Sequence, residues 1–410
     1  MTSAELSRFL FSPMTLVLYL ASALLYLRAM AAPRLDSVDG KHDGSGSASL
    51  RWGTGLAILG VLAHAAHVVV RTEAAGRLPL GNMFEFSSII ALTTVVGGLV
   101  VIQWRMRRPE LMGFVMLGAE VTLVLSLLLY SDPAPLQPIL DTWWRAIHVS
   151  TIALSAGIFS LAAVFNALHL LRDTAESRVA EGAGASFGPN TVGAAQAPTT
   201  EGADAARDAD EDQTLDSVPS RVEADVVDLA EEDHDAAYRA ALRDVLTQRV
   251  AGLRLPWRIM GGSVLVGVLF SLIWWDVRTS VTMGVTMAAL TLVAWWAVPY
   301  LPSATTLDSL TYRTIAFSFP IWTFAVITGA MWAEQSWGRF WGWDPKETSA
   351  FVTWVAYAGY LHARATRGVR GRRASWLGLV AYGVLLFTYY AVNLLIVGLH
   401  SYGGIDQTVG

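Results

Sequence analysis

The stretch W-G-R-F-W-G-W-D-P-K-E, Trp337 to Glu347, lies between two apolar runs, Thr314 to Trp332 before it and Thr348 to His362 after it. Tryptophans at 337, 341 and 343, with Trp332 just upstream, put large flat rings and indole N–H donors at the junction of the two runs. Tryptophan is enriched where a membrane meets water, so an aromatic belt is the plain reading. A belt, however, needs no Gly-Trp-Asp-Pro-Lys-Glu string in so short a space. Asp344 before Pro345 predicts a helix N-cap with proline at the first helical position, and Glu347 three residues on completes a capping box. The segment is therefore expected to end where a membrane helix begins, with its geometry set by that helix.

Working outward, the 410 residues are 53% hydrophobic and 15% charged, with a mean hydropathy of +0.43, which is too apolar for a soluble protein of this size. A span needs about 20 mostly apolar residues. The expected fold is all-α, a polytopic transmembrane helical bundle of about ten spans, with eight to ten compatible with the pattern. The spans run from Phe9 to Met30, Trp52 to Val70, Glu85 to Trp104, Leu111 to Tyr130, Ala146 to Leu171, Ile259 to Trp275, Val281 to Tyr300, Thr314 to Trp332, Thr348 to His362, and Trp376 to Gly398. Ala29, Met30 and Ala31 also fit a leader cleavage pattern, but the first apolar run is long and its leading charge is a lone Arg8, so it is read as a span. There is no cysteine, which excludes disulfides, thiolate ligands and thiol nucleophiles from this chain.

Basic residues orient the spans, because short cytoplasmic loops carry an excess of Lys and Arg. Arg105, Arg107 and Arg108 form one basic loop, Arg364 to Arg373 hold five arginines, and Arg28, Arg34, Lys41 and Arg51 form another set. Under ten alternating spans all three fall on one side, the cytoplasm. The Trp337 segment, the loop holding Trp143 and the C-terminal tail then face outward across the plasma membrane. The net charge of −5 comes from one region: 18 of the 34 acidic residues lie between Arg172 and Trp257 with only 8 of the 29 basic ones. That stretch, 172–257, is poor in apolar residues and reads as a mostly disordered cytoplasmic linker. Asp225 to Val250 within it has the spacing of a short amphipathic helix. The chain thus divides into N-terminal helices (1–171), the acidic linker (172–257), a helix pair (258–306), a C-terminal core (307–404) and a tail (405–410).

A broad flat ligand such as a porphyrin calls for aromatic walls, cations for its propionates and axial donors for its iron. Trp337, Trp341 and Trp343 supply walls, with Asp344 in the same segment. Arg339 and Lys346 supply charge, and Arg145 lies on the same side beside Trp143 and Trp144. Each cation also fits a solvated loop charge. His148 opens the fifth span and His400 closes the tenth, both on the tryptophan side, where the two can meet at one iron. His362 lies 15 residues beyond Glu347, about 22 Å inward along a helix, so it belongs to a second level. His64 and His67, three apart in one span, are intramembrane candidates without a stronger pattern. His169 reads as a core residue, and His42 and His234 lie in polar loops. The loop Arg77 to Ser88 reads either as a wall of the ligand site or as a connector with an N-cap. Two other classes remain open at this point. An electron-transfer haem b subunit also wants imidazole pairs at two depths but needs no tryptophan platform; a solute transporter wants midplane charges, of which there are few.

From Leu307 to Gly404 the chain closely resembles the CcsA (ResC) family of cytochrome c biogenesis proteins, haem-handling members of the group marked by a WWD segment. The resemblance rests on L-D-S-L-T-Y-R-T-I-A-F-S-F-P from Leu307, on Trp337 to Glu347, on Tyr360-Leu361-His362 and on N-L-L-I-V-G-L-H-S-Y-G from Asn393. It extends to Trp144 to Ser150 and, more weakly, to Pro79 to Ser88. It implies a system II membrane protein that carries haem b outward and presents it to apocytochrome c bearing Cys-x-x-Cys-His, as a subunit of a cytochrome c haem synthase. By the same likeness His148 and His400 hold haem at the outer site. His362 is one ligand of a transmembrane haem, and a ResB-like membrane partner supplies the other. Extracytoplasmic thiol reductants and membrane lipid complete the expected partners, and no nucleic acid is expected. The acidic linker and the pair of spans from Ile259 to Tyr300 look like insertions relative to the family pattern.

Overall fold

The computed structural model describes residues 2–39, 45–135, 142–186, 254–271, 277–396 and 398, and these contain helices and no strand. The helices are α1 (Ser3–Phe9), α2 (Leu16–Asp39), α3 (Ser45–Ala75), α4 (Met83–Gly98), α5 (Met112–Leu127), α6 (Trp143–Ser186), α7 (Trp257–Ser271), α8 (Val277–Ala297), α9 (Ala304–Trp337), α10 (Pro345–Arg367), α11 (Arg372–Leu386) and α12 (Val392–Leu395). Pro13 sits in a π-helical stretch, Leu10–Thr15, that joins α1 to α2 without breaking the rod. A similar stretch, Phe387–Ala391, joins α11 to α12.

Seven helical segments among the described residues are long and apolar enough to cross a membrane: Ser3–Met30, Gly46–Ala75, Met83–Arg105, Trp143–Arg178, Val277–Tyr300, Ala304–Trp337 and Arg372–Leu395. Helices α5 and α7 are apolar but shorter. Helix α10, at 23 residues, reaches about 35 Å, yet Lys346, Glu347, His362, Arg364 and Arg367 lower its hydropathy. Each of the ten expected spans coincides with one of these ten segments. The protein is a polytopic helical membrane bundle.

Two compact units divide the chain. The larger takes residues 1–173 and 255–410, the smaller Thr174–Arg254. Most of the smaller unit, including the amphipathic stretch 225–250, lies outside the described residues. What is described of it is helical to Ser186, because T-A-E-S-R-V-A-E carries good helix formers past the expected end of the span. Within this unit the Arg178 guanidinium donates to the Arg254 carbonyl at 2.8 Å.

In the larger unit α2 packs on α3 and α5, α4 on α5, α7 on α8, and α10 on α9 and α11. A core of Phe159, Trp322, Tyr357, Tyr360, Ala374, Ala381 and Leu385 ties α6, α9, α10 and α11 together. Phe159 stacks on Tyr357 with ring centroids 3.6 Å apart. Where α6 and α9 cross, Ser155 and Ser318 bond each other's hydroxyl at 2.9 Å, satisfying polar groups that lipid cannot. The end of α9 and the start of α10 set the tryptophan segment. Gly338 at φ 68° stops α9, donating its N–H to the Glu334 carbonyl, and Asp344 with Glu347 forms the full capping box of α10.

Candidate functional site

At the tryptophan end of the bundle α4, α6, α9, α10 and α11 part to leave a cleft with 1260 Å³ of atom-free space, the solvent at its mouth included. The walls are mostly apolar: Phe86 and Ile90 from α4, Val149, Ile152 and Ala156 from α6, Trp322, Val326 and Trp332 from α9, Phe340 and Trp341 from the segment, and Leu385 from α11.

His148 enters this cleft from the second turn of α6. Its Nδ1 lies 2.7 Å from the carbonyl oxygen of Ala325. A carbonyl only accepts, so Nδ1 carries the proton and donates, which leaves Nε2 with its lone pair available for a metal. Such a bond fixes both tautomer and ring direction, as is usual for iron- and zinc-binding imidazoles. The fit depends on Gly329: a Cβ there would sit 2.7 Å from His148 Cε1. Trp332 flanks the ring at 5.8 Å between centroids.

One wall is the loop before α4, Leu80 to Met83. It is tied down by Glu85, whose buried carboxylate accepts from Arg71 Nε at 2.9 Å, Arg77 at 2.7 Å and the Gly81 N–H at 2.8 Å. The Arg77 guanidinium lies directly over the loop backbone, so a Cβ on Gly81 would sit 2.5 Å from its central carbon. The Asn82 side chain caps α4. This loop both lines the cleft and caps α4, so each of the two readings its sequence allowed describes part of it. Its Leu80 carbonyl accepts from Arg145, a buried cation that also lines the cleft.

The segment residues divide by role. Trp341 and Lys346 line the cleft, and the Lys346 ammonium forms no ion pair among the described residues. Trp337 is outside the lining and packs on Trp332 at 5.4 Å. Arg339 lies across Gly342 and pairs with Glu347 at 3.6 Å. Asp344 is the N-cap, and Trp343 is 68% exposed.

His362 lies on the same helix as Lys346 and is exposed. His400 falls outside the described residues, as does the tail; Gly398, two residues earlier, packs on Asp344 so closely that a Cβ would lie 2.7 Å from its Oδ1. His64 bonds Ser88 through Nε2 at 2.7 Å and Tyr19 through Nδ1 at 3.3 Å, and His67 meets Ser7 at 3.0 Å, so both are engaged in the core. His169 bonds Ser375 at 2.9 Å. Among the described residues no three His, Cys, Asp or Glu side chains gather to hold a bare metal ion. One oriented imidazole, aromatic walls and two cations suit instead an iron already held by a macrocycle with acidic arms. Sequence reasoning did not single out Gly329 and Tyr389, which carry no motif, nor Phe86 and Phe340, although these two lie inside stretches it did read.

The comparisons with known proteins agree with this chemistry. The family model described as cytochrome C assembly protein matches residues 56–400. Proteins named cytochrome c biogenesis protein CcsA are similar over part of the chain: 54% identical over 100 residues in Synechococcus elongatus, covering 24% of this chain and 31% of the relative. The Gloeobacter violaceus protein is 47% identical over 122 residues, 30% and 36% of the two chains, and that of Guillardia theta 50% over 101, 25% and 34%. The chain thus spans about a third of the length of the curated relatives it matches. With the family model covering most of the helical bundle, cleft included, this chain belongs to the cytochrome c assembly protein family, in its CcsA branch of cytochrome c biogenesis proteins.

Proposed function

We propose that the cleft is the exit station for haem b, held there for covalent attachment to apocytochrome c. The observation that carries this reading is His148, aimed into an aromatic cleft with Nδ1 spent on Ala325 and Nε2 left for iron. Arg145 and Lys346 give the haem propionates two cations at the same cleft. His400 is the second axial ligand in this reading.

The chain's own work is binding and orientation. His148 and His400 hold the iron with the vinyl edge toward the mouth, while the walls exclude water. The client's two thiols add across the vinyls: each S–H bond breaks, sulfur bonds one vinyl carbon, and the hydrogen goes to the other. The client's own histidine then replaces one of this chain's imidazoles. The tryptophan segment and C-terminus face outward across the plasma membrane. His362 is one ligand of a deeper haem, and its exposure suits a second imidazole from a ResB-like partner.

The test is a haem spectrum of the complex purified with and without the partner. His148→Ala is expected to remove one haem signal and His362→Ala a different one, with the second signal absent when the partner is absent. Unchanged loading in both variants would sink the reading.

A further inference from the structure

Trp343 stands in a backbone conformation that its side chain does not favour. Its φ is +58°, and among the described residues only Arg107 shares a positive φ without being glycine. A bulky residue there is costly and persists only where its surroundings enforce it. The enforcing group is Glu347. Its Oε2 accepts from the Gly342 N–H at 2.7 Å and from the Asp344 N–H at 3.2 Å, gripping the chain on both sides of Trp343. The ring so held does not enter the cleft. It is 68% exposed, and its contact with the cleft runs through Trp341, edge-on at 5.9 Å. Phe340, 56% exposed, belongs both to this outward surface and to the cleft wall.

A lipid anchor explains an exposed tryptophan but not its backbone. Trp52, Trp257 and Trp376 are 70%, 77% and 57% exposed, and each sits on an ordinary helix with a negative φ. Trp343 alone among them is turned outward by a clamped, strained loop at the rim of a ligand cleft. Resting on the function proposed above, we infer that Trp343, with Phe340, is a docking surface for the client polypeptide: the extended segment flanking its Cys-x-x-Cys-His. A rigid indole is the side chain most often found as an anchor in protein recognition. The occupant is an unfolded chain because it must lay two thiols and an imidazole at the same rim, next to the cleft through which Phe340 continues.

The full chain, co-purified with its membrane partner and loaded with haem, is assayed for thioether formation on a synthetic peptide carrying Cys-x-x-Cys-His. Trp343→Gly removes the ring and suits the positive φ. It is expected to raise KM for the peptide roughly tenfold or more, with kcat and the haem spectrum unchanged and the unfolding temperature equal or higher. Trp343→Tyr is expected to restore much of the peptide affinity. An unchanged KM in Trp343→Gly overturns the inference, and so does a loss carried by kcat or by a lowered unfolding temperature, since either makes the ring structural. A wild-type complex that neither binds haem nor attaches it sinks the function proposed above instead, so the two failures are distinguishable.

Discussion

Two histidines of this bundle, His64 and His148, differ in what is left of the ring. His64, between α2, α3 and α4, gives one nitrogen to Tyr19 and the other to Ser88. His148, on α6, gives Nδ1 to a backbone carbonyl of α9 and keeps Nε2 turned to a cleft. The first is a cross-link among three helices; the second is held in one tautomer by a single bond, and it is the ring proposed above as a ligand.

Glu85 bears on both regions, since it holds the cleft wall and pairs with Arg71 one turn from His67. Glu85→Ala leaves two buried guanidinium groups without their anion and is expected to cost about 3–5 kcal/mol. Denaturant or thermal unfolding in detergent measures it, and a loss below about 1 kcal/mol would mean the loop is not held as described. Next in size is Gly329→Val, which drives the His148 ring off its Ala325 bond. Haem affinity is expected to fall about ten- to hundredfold at near-normal stability, the range for disturbing a ligand's support. If affinity were unmoved, His148 would not be the ligand.

The contrast itself is sharpened by His64→Leu. Ser88 and Tyr19 lose their partner, so about 1–3 kcal/mol of stability should go while the haem absorbance per mole of folded protein stays constant. Loss of haem at constant stability would erase the distinction between the two sites. The smallest effect is expected at Lys346→Gln, roughly a two- to fivefold weaker haem affinity for a partly exposed charge. The deficit should shrink as salt rises, because screening removes the same interaction in the parent protein.

Much of this was legible in the residues. Ten apolar runs announced ten helical segments, seven of them among the described residues long and apolar enough to cross a membrane, and even α10, with its lower hydropathy, was recognisable from the Asp344-Pro345 cap that starts it. The candidate cleft was half legible. His148, Arg145, Trp341 and Lys346 were all named by type and side, and all line one cavity. What did not follow from type was direction: Arg339 turns to Glu347, Trp337 to Trp332, and Trp343 outward. Neighbours in sequence point to different places in an irregular loop, and no period predicts them.

By itself the sequence determined that this is a helical membrane protein with a tryptophan-rich connection capped by the next helix. Hydropathy, basic loops and capping act within a few residues and can be read locally. Only the tertiary structure decided which histidine keeps a nitrogen free, that Glu85 gathers two arginines and a backbone N–H into one wall, and that Glu347 clamps the chain around Trp343. Those outcomes depend on partners brought together from distant helices, such as Ala325 beside His148, and a hydrogen bond has no address until the helices have packed.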